Sequence, residues 1–391
     1  MNYENLLATR TASMQASAVR EILKVVSQPG MISLAGGIPA PESFPLDLMS
    51  ALTETVLDKY GAGALQYDTT EGFAPLRSAL ATYLNAKEID AAAEDLLVFS
   101  GSQSVLDAVA KILISPGDKI AVEAPTYLGA LSAFNAYEPN YICLQTDDEG
   151  LVPESLDQAL TEHAIKFIYL TPTFQNPTGR TLSNERRTRV AEIIKRHNAL
   201  VLEDDPYGDL RYRGEFVPSI KSHAPEHVIY VSTLSKIFAP GLRLGFCAAP
   251  KPLTSWLTVA KQGADLHTST LNQALAAEYL VGDHLTEHLP KIISIYKPRQ
   301  EAMLNALERY MPDSWRWTQP DGGMFLWVEG PADADLAGVY ARSVENNVAF
   351  VPGKYFYTEP GAGEATMRLN FTMANEETID GAIRTIAEQI K

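Results

Sequence analysis

A lysine and an arginine lie close together in the stretch VSTLSKIFAPGLRLG, which runs from Val231 to Gly245. Lys236 follows a group of hydroxyl residues, and Arg243 comes seven positions after it. A lysine amine can act as a nucleophile or carry a proton, and a guanidinium binds anions well. A single lysine in a loop is more often a solvated charge. The segment therefore has chemical meaning only if other parts of the chain supply partners for Lys236.

Strand and helix patterns alternate between residues 95 and 250. The strand-like runs are short and rich in Val, Ile and Leu, and several are continuous, as expected for strands buried on both faces. Their alternation with helices predicts a mainly parallel sheet covered by helices. The connection between 227–232 and 242–250 is too short for a helix, which predicts one antiparallel strand. The predicted strands are residues 96–100, 119–125, 164–172, 199–207, 227–235 and 242–250. Residues 346–357 are predicted to form one strand of a second, smaller α/β unit.

Polar groups follow these strands, and in such sheets ligands bind beyond the carboxyl ends of the strands. The turn 101–104 leads into a helix, so its free backbone amides predict an anion site. Asp204 ends an apolar strand, where a carboxylate is costly unless it is paired. Each group by itself has an ordinary structural explanation, such as a capped turn, a core ring or an Asn-Pro turn. The other groups at strand ends are Tyr127, Asn176, Tyr207, Ser235 and Lys236.

Taken together, these groups match the needs of one cofactor, pyridoxal 5′-phosphate. It requires a phosphate site, a stacking ring, donors to its phenolate oxygen, a carboxylate at its ring nitrogen and a lysine that forms a Schiff base. The sequence offers a candidate for each requirement after strands of one predicted sheet.

Eight segments of the chain resemble fold-type I aminotransferases of class I/II, most closely the 2-aminoadipate/kynurenine/aromatic branch. They follow the family order from residue 33 to residue 372, and the combination of SK…PGLRLG with NPTG is highly specific. The segments are SLAGGIPAPESFP, LQYDTTEGFAPLR, GSQSVLDAV, PTYLGA, NPTGR, EDDPYGDLRY, SKIFAPGLRLG and MRLNFT. The resemblance implies an α/β fold. Its large domain has a mainly parallel seven-stranded sheet, and a smaller α/β domain accompanies it. The implied division is an N-terminal arm and helix (1–45), a large cofactor-binding domain (46–280) and a small C-terminal domain (281–391).

The resemblance also implies roles for individual residues around the ring of the cofactor. Lys236 resembles the Schiff-base lysine, and Asp204 resembles the partner of the pyridine nitrogen. Asn176 and Tyr207 resemble the donors to the phenolate oxygen, with Tyr207 counted among the catalytic residues. Tyr127 resembles the stacking aromatic.

Further positions resemble residues that bind the phosphate and the substrate. Tyr67 resembles a residue that crosses a dimer interface to the neighbour's phosphate, which implies a homodimer with shared active sites. Arg368 resembles the arginine that binds the substrate α-carboxylate, a bidentate task suited to guanidinium. The implied phosphate ligands within the chain are Ser102, Gln103, Ser235 and Arg243.

The early segment SMQASAVREILKV concerns the choice of substrate. Its pattern predicts an amphipathic helix over residues 17–27 with Ser17 as the N-cap. Arg20 matches an arginine that can reach a distal carboxylate in aminoadipate-type relatives, although a solvated charge on the helix is an equally good interpretation. Gly37 would close over the substrate, and the resemblance also places Asn176 and Ser17, one turn before Arg20, among the residues that bind the substrate. The aromatic residues of GKYFYTEP suit either an aromatic substrate or a core strand.

The resemblance implies an enzyme that moves the amino group of an L-amino acid to 2-oxoglutarate in a ping-pong reaction through a Schiff base. Its substrates would be 2-aminoadipate-like or broad, including acidic, aromatic and branched amino acids. A lyase or decarboxylase on the same scaffold is the alternative enzyme class. A regulator with an aminotransferase-like domain is the non-enzymatic alternative, and it would require a basic DNA-binding module.

Composition limits the remaining possibilities. The chain of 391 residues has 48 acidic against 32 basic side chains, a net charge of −16 that disfavours nucleic-acid binding. Two cysteines without paired spacing suggest neither a metal site nor a disulfide framework. Neither a secretory signal nor a membrane span is expected. The sequence therefore predicts a cytoplasmic protein that acts on small molecules.

Overall fold

The structure is a computed structural model that describes residues 1, 3–14, 26 and 28–390. Apart from Val26, the helix predicted over residues 17–27 lies outside the described residues, and so do Ser17 and Arg20.

Helices make up a large part of the described chain, and side-chain caps begin several of them. Ser183, for example, accepts a hydrogen bond from the backbone amide of Arg186 at the start of its helix. The α-helices are α1 (Leu46–Tyr60), α2 (Ala74–Asn85), α3 (Ser102–Leu113), α4 (Leu128–Asn135), α5 (Pro153–Glu162), α6 (Asn184–Arg196), α7 (Ile220–His223), α8 (Lys251–Gln262), α9 (Thr270–Val281), α10 (His284–Tyr310), α11 (Leu336–Glu345) and α12 (Glu376–Gln389). Short 3₁₀ helices cover Tyr3–Leu6, Thr9–Ala12, Pro41–Ser43, Gly61–Leu65, Ala93–Asp95, Pro225–His227, Pro240–Leu242 and Gly353–Phe356.

Strands form a large central sheet, a smaller C-terminal sheet and two short pairs. They are β1 (Ile32–Ser33), β2 (Leu96–Phe99), β3 (Lys119–Glu123), β4 (Asn140–Leu144), β5 (Thr146–Asp147), β6 (Gly150–Leu151), β7 (Ile165–Leu170), β8 (Val201–Asp204), β9 (Val228–Thr233), β10 (Gly245–Ala248), β11 (Arg316–Trp317), β12 (Phe325–Glu329), β13 (Val348–Ala349), β14 (Val351–Pro352) and β15 (Thr366–Asn370).

The central sheet has seven strands in the order β2-β10-β9-β8-β7-β3-β4. Strands β4, β3, β7, β8 and β9 pair in parallel, whereas β10 is antiparallel to both β9 and β2. This confirms the predicted mainly parallel seven-stranded sheet and its antiparallel strand. Edge strand β4 was not found by pattern, because its side chains are mostly half-buried and do not form a continuous apolar run.

Both faces of the central sheet are buried, which explains the continuous apolar strands. In β7, Phe167 and Tyr169 pack with residues of α3, α4 and α8, while Ile168 and Leu170 pack with residues of α5, α6 and α7. Side chains alternate between the faces of a strand. A polar residue on either face is therefore directed into a packed layer, unless it lies at a strand end.

The C-terminal sheet has the antiparallel order β11-β12-β15-β14. The prediction of one strand across 346–357 was wrong. Strand β13 pairs in parallel with β1, strand β14 pairs with β15, and Gly353–Phe356 is a 3₁₀ helix. Pro352 ends β14, since proline cannot donate to a continuing ladder. The proposed division of the chain into domains remains a prediction.

None of the helices in the described residues combines the length and apolar character needed to cross a membrane.

Candidate active site

A cavity of about 320 Å³ lies between the carboxyl ends of the central strands, the segment 35–38 and strand β15. It brings together most of the residues that the sequence singled out. Those that line it are Gly37, Ser102, Gln103, Tyr127, Asn176, Asp204, Tyr207, Ser235, Lys236, Arg243 and Arg368. Tyr67 does not line the cavity of its own chain, and its side chain is 76% exposed.

Lys236 lies in the turn after β9, and its Nζ donates a hydrogen bond to the carbonyl oxygen of Gly37 at 2.9 Å. Burial lowers the pKa of Lys236 to about 8, and the positive charges of Arg243 and Arg368 add to the lowering. A substantial fraction of the amine is therefore neutral near pH 8, the form in which it can act as a nucleophile.

The hydroxyl groups around Lys236 stabilise its turn. Thr233 Oγ1 donates to the carbonyl oxygen of Leu244 at 2.8 Å and accepts from the backbone amide of Ser235 at 3.2 Å. Ser232 Oγ donates to the carbonyl oxygen of Asp205 at 2.7 Å. These two strand-end hydroxyls satisfy backbone groups. Ser235 also lines the cavity and has its hydroxyl 2.9 Å from Thr233 Oγ1.

Asp204 is the last residue of β8, and its two carboxyl oxygens differ in their partners. Oδ2 accepts a hydrogen bond from the hydroxyl of Tyr169 at 2.7 Å, whereas Oδ1 is buried without a partner among the described residues. Burial raises the pKa of Asp204 to about 7; the Tyr169 hydrogen bond opposes this rise and the charge of Asp205 adds to it. A buried carboxylate oxygen without a donor is costly. A protonated ring nitrogen would supply the missing donor.

Arg368 reaches the cavity from β15 and joins the two sheets. Its Nη1 donates to Asn176 Oδ1 at 2.8 Å, and its Nη2 donates to the carbonyl oxygen of Ala35 at 2.6 Å. Asn176 in turn donates from Nδ2 to the hydroxyl of Tyr207 at 3.2 Å. The guanidinium carbon lies 4.2 Å from the ring centroid of Phe325.

The charge of Arg368 is buried. Burial lowers its pKa to about 10, which leaves it protonated at neutral pH. No carboxylate among the described residues pairs with it within salt-bridge distance, and its Nε has no hydrogen-bond partner there. A buried guanidinium in this situation can bind a carboxylate ligand with high affinity.

The backbone where α3 begins forms a candidate anion site. Gly101 has a positive φ of 95°, and the first amides of α3 have no acceptor within the helix. A Cβ at Gly245 would collide with the backbone amide of Ser102. The close approach of β10 to this turn thus requires glycine, and Arg243 comes close to Gly101. Gln103 uses its side chain to donate to the carbonyl oxygen of Gly129 at 2.7 Å, and its backbone amide, in the first turn of α3, is the group that would meet a ligand.

Tyr127 comes directly before α4 and lines the same cavity as Ser102 and Gln103. A Cβ at Gly129 would collide with the Tyr127 ring, so glycine is needed there for the ring to take this position. Burial raises the pKa of Tyr127, and the phenol stays neutral. The ring can therefore stack on a flat ligand.

Sequence reasoning missed Tyr169, which lines the cavity behind Asp204. Tyr169 lies inside the apolar run FIYLTP, where a tyrosine is typical of the core. The available signal was its hydroxyl, because a phenol in a strand buried on both faces needs a polar partner.

The cavity fits pyridoxal phosphate on structural grounds. The unpaired Asp204 oxygen could accept a hydrogen bond from the protonated ring nitrogen. The free backbone amides at the start of α3 could bind the phosphate, and the neutral amine of Lys236 could react with the aldehyde. A mainly parallel sheet with such a cavity at its carboxyl edge is the arrangement of the fold-type I enzymes that use pyridoxal phosphate.

Comparison with known proteins makes the assignment specific. The chain belongs to the aminotransferases of class I and II, since the model of that family matches residues 31–386. It is 45% identical to aromatic-amino-acid aminotransferase 1 of Thermococcus litoralis, over 100% of this chain and 95% of that protein. It is 38% identical to 2-aminoadipate transaminase of Thermus thermophilus, over 97% of this chain and 94% of that protein.

A solved structure agrees with the sequence comparison. The multiple substrate aminotransferase of Thermococcus profundus superposes with a TM-score of 0.95 at 43% identity, covering 100% of this chain and 98% of that one. The chain is therefore a pyridoxal-phosphate-dependent aminotransferase. This confirms the enzyme class and the cofactor predicted from the sequence.

Proposed function

We propose that this aminotransferase moves the amino group of an L-amino acid to 2-oxoglutarate and accepts both acidic and aromatic amino acids. The observation that carries the proposal is the buried guanidinium of Arg368, which faces the same cavity as Lys236 and has no carboxylate partner among the described residues. The names of the relatives from Thermococcus litoralis and Thermus thermophilus, which refer to aromatic amino acids and 2-aminoadipate, support the two substrate classes.

Lys236 and Asp204 perform the central tasks in this proposal. When bound, pyridoxal phosphate supplies an aldehyde carbon that receives the amino group and a ring that accepts the electron pair of the breaking Cα–H bond. Lys236 would hold the cofactor through Nζ, and its amine would be the group that carries a proton to and from the substrate Cα. Asp204 Oδ1 keeps a proton on the ring nitrogen.

The surrounding residues hold the phosphate, the ring and the substrate. Tyr127 stacks on the ring, while Asn176 and Tyr207 donate to its phenolate oxygen. Arg368 binds the α-carboxylate with two parallel hydrogen bonds, and Gly37 closes over the substrate. The phosphate is held by Ser235, Arg243 and the backbone amides of Ser102 and Gln103.

The active enzyme in this proposal is a homodimer, in which Tyr67 reaches the phosphate of the neighbouring subunit. Tyr67 supports this because it is exposed beside a surface hollow of about 460 Å³ lined by residues 64–67, 267 and 269–271. Free Cys143 and Cys247 are consistent with a reducing compartment. We therefore propose that the enzyme acts in the cytoplasm.

The half-reaction tests the proposed activity. Purified enzyme containing the cofactor is mixed with one amino acid at a time, without an oxo acid, and its visible absorbance is followed. Loss of the band of the lysine-bound cofactor with glutamate, 2-aminoadipate and phenylalanine, and its return with 2-oxoglutarate, is the expected result. Release of ammonia without any oxo acid would instead indicate the lyase alternative, and release of carbon dioxide would indicate the decarboxylase.

Chemical trapping tests Lys236 separately. Borohydride reduction of the enzyme with its cofactor should attach the cofactor to the peptide that contains Lys236. The buried Lys221 and Lys261, which donate to other protein groups, should remain unmodified and serve as internal controls. Modification of another lysine would overturn the assignment.

Arg20 is the candidate residue for recognition of the acidic substrates in this proposal. If it binds a distal carboxylate, Arg20→Gln should lower kcat/KM for 2-aminoadipate by about 10- to 100-fold and leave the value for phenylalanine within about two-fold. Lys24→Gln removes a neighbouring charge and serves as the control. Equal effects on both amino acids would make Arg20 a surface charge.

A further inference from the structure

Tyr169 lies on the central sheet directly behind Asp204. In the parallel pairing of β7 with β8, Tyr169 is opposite Leu202. Residues two apart share a face of a strand, so Tyr169 and Asp204 are on the same side of the sheet. Its hydroxyl donates to Asp204 Oδ2 at 2.7 Å. Among the described residues, this is the one hydrogen bond given to the Asp204 side chain.

The direction of that hydrogen bond follows from the surroundings of the phenol. Thr171 Oγ1 donates to the Tyr169 oxygen at 3.4 Å, which leaves the phenol proton for Asp204. Burial raises the pKa of Tyr169 well above its ordinary value, and the neighbouring charge of Asp204 adds to the rise. The phenol therefore remains a donor.

Packing determines where the Tyr169 hydroxyl can point. The side chain is 0% exposed, and Phe134 packs against it edge to face with 5.5 Å between ring centroids. The hydroxyl is thus delivered to Oδ2 from the interior of the sheet, and Oδ1 is the carboxyl oxygen left for a ligand.

We propose that Tyr169 is a positioning residue that keeps the Asp204 carboxyl ionised and directs its free oxygen to the ring nitrogen of the cofactor. The proposal rests on the proposed pairing of Asp204 with that nitrogen. A hydrogen bond to the charged form favours ionisation of a buried carboxyl, and Asp204 receives no other such bond from the described residues.

Other titratable groups also act on Asp204. Asp205 disfavours its ionised form. The phenols of Tyr127 and Tyr207 are near enough for the charge of Asp204 to raise their pKa values. Because Tyr169 is the one described residue that donates to the carboxyl, removal of its hydroxyl should have a larger effect on Asp204 than a change at a neighbouring phenol.

Infrared titration of the cofactor-free protein tests the effect on Asp204. The carboxyl band of Asp204 is assigned by its loss in Asp204→Asn. In Tyr169→Phe the apparent pKa of this carboxyl should rise by about one to two units. Tyr279→Phe is the matched control and should leave the Asp204 titration unchanged, because Tyr279 is equally buried but donates to the carbonyl oxygen of Ile237 at 2.7 Å. An unchanged Asp204 titration in Tyr169→Phe would overturn the proposal.

Cofactor affinity tests the second half of the proposal through a double-mutant cycle. Tyr169→Phe should weaken pyridoxal phosphate binding about 10-fold in the wild-type background. It should have less than about a two-fold effect in the Asp204→Asn background, because Tyr169 acts through Asp204. Equal losses in both backgrounds would indicate a general packing defect and overturn the proposal, as would unaltered affinity in the wild-type background. The titration needs no cofactor, so failure of the half-reaction would not be mistaken for failure of this proposal.

Discussion

Arg368 donates to the side-chain oxygen of Asn176 at 2.8 Å, across a separation of 192 positions in the sequence. The bond joins β15 of the C-terminal sheet to the turn after β7 of the central sheet. Because it occupies the amide oxygen, the Asn176 nitrogen is directed to Tyr207. The group proposed to bind the substrate carboxylate therefore also orients the amide proposed to bind the cofactor.

Replacement of Arg368 by lysine tests its proposed role in substrate binding. Arg368→Lys keeps the positive charge but loses the planar pair of donors, so we expect kcat/KM to fall by about 100-fold or more, mainly through KM. Steady-state kinetics with glutamate provides the measurement. Arg186→Lys is the control, because Arg186 makes the same kind of bidentate contact with Asp147 at the surface. Retention of wild-type KM in Arg368→Lys would contradict the proposed role.

The backbone of β10 passes close to the start of α3, and this close contact predicts the effect of replacing Gly245. A Cβ at Gly245 would meet the amide of Ser102, whereas one at Gly241 would meet nothing within 4 Å. Gly245→Ala should therefore displace the start of α3 and weaken pyridoxal phosphate binding by about 10-fold or more, with a lower Tm. Gly241→Ala should change neither quantity. Fluorescence titration and thermal unfolding check both variants, and equal behaviour of the two would refute the steric argument.

Asp204 should destabilise the cofactor-free protein above neutral pH. Its folded pKa of about 7 lies above the ordinary aspartate value of 3.8, so between these pH values the folded state binds the proton more tightly than the unfolded state. Stability is consequently lost as the pH rises through this window, and the full cost is present above about pH 7.

Asp204→Asn should therefore raise the Tm of the cofactor-free protein at pH 8 by about 2–5 °C. The gain should shrink as the pH is lowered towards 5, where the wild-type carboxyl is protonated in the folded state. Calorimetry at several pH values measures the difference. A gain independent of pH would mean that ionisation of Asp204 is not its cause.

Tyr67 provides a test of the shared active site. If it reaches the phosphate of a neighbouring subunit, Tyr67→Phe should weaken cofactor binding about 10-fold without changing the oligomeric state. Tyr355→Phe, at another exposed tyrosine, should have no effect. Dilution of the wild-type enzyme below its dimer dissociation constant should reproduce the loss. Full cofactor affinity in a protein shown by light scattering to be a monomer would disprove the arrangement.

The residues at strand ends could be predicted because local patterns were sufficient. Asp204, Asn176 and Lys236 each follow an apolar run, and parallel strands bring their carboxyl ends to one edge. Edge strand β4 and the interrupted segment 346–357 were harder to predict. A half-buried strand, or a segment whose two parts pair with different strands, shows no clear hydrophobic periodicity.

Arg368 and Tyr169 show two limits of sequence reasoning. Nothing in the residues around Arg368 connects β15 with the central sheet, and only resemblance to a family pointed to it. Tyr169 has the sequence pattern of a core residue, and it is buried in the core. Its hydroxyl contacts Asp204 because of the pairing register of β7 with β8, which the sequence does not reveal.

The sequence by itself determined the order of strands and helices, the chemical groups at the strand ends and, through its motifs, the family. These depend on local periodicity and residue type. The tertiary structure decided which polar atoms remain free to bind a ligand, because neighbouring residues already form hydrogen bonds with the others. Tyr169 takes one oxygen of Asp204 and leaves the other. The side chain of Gln103 donates to the carbonyl oxygen of Gly129. Arg368 is buried and has no carboxylate partner among the described residues. Such assignments arise from contacts between distant segments, which only the folded chain brings together.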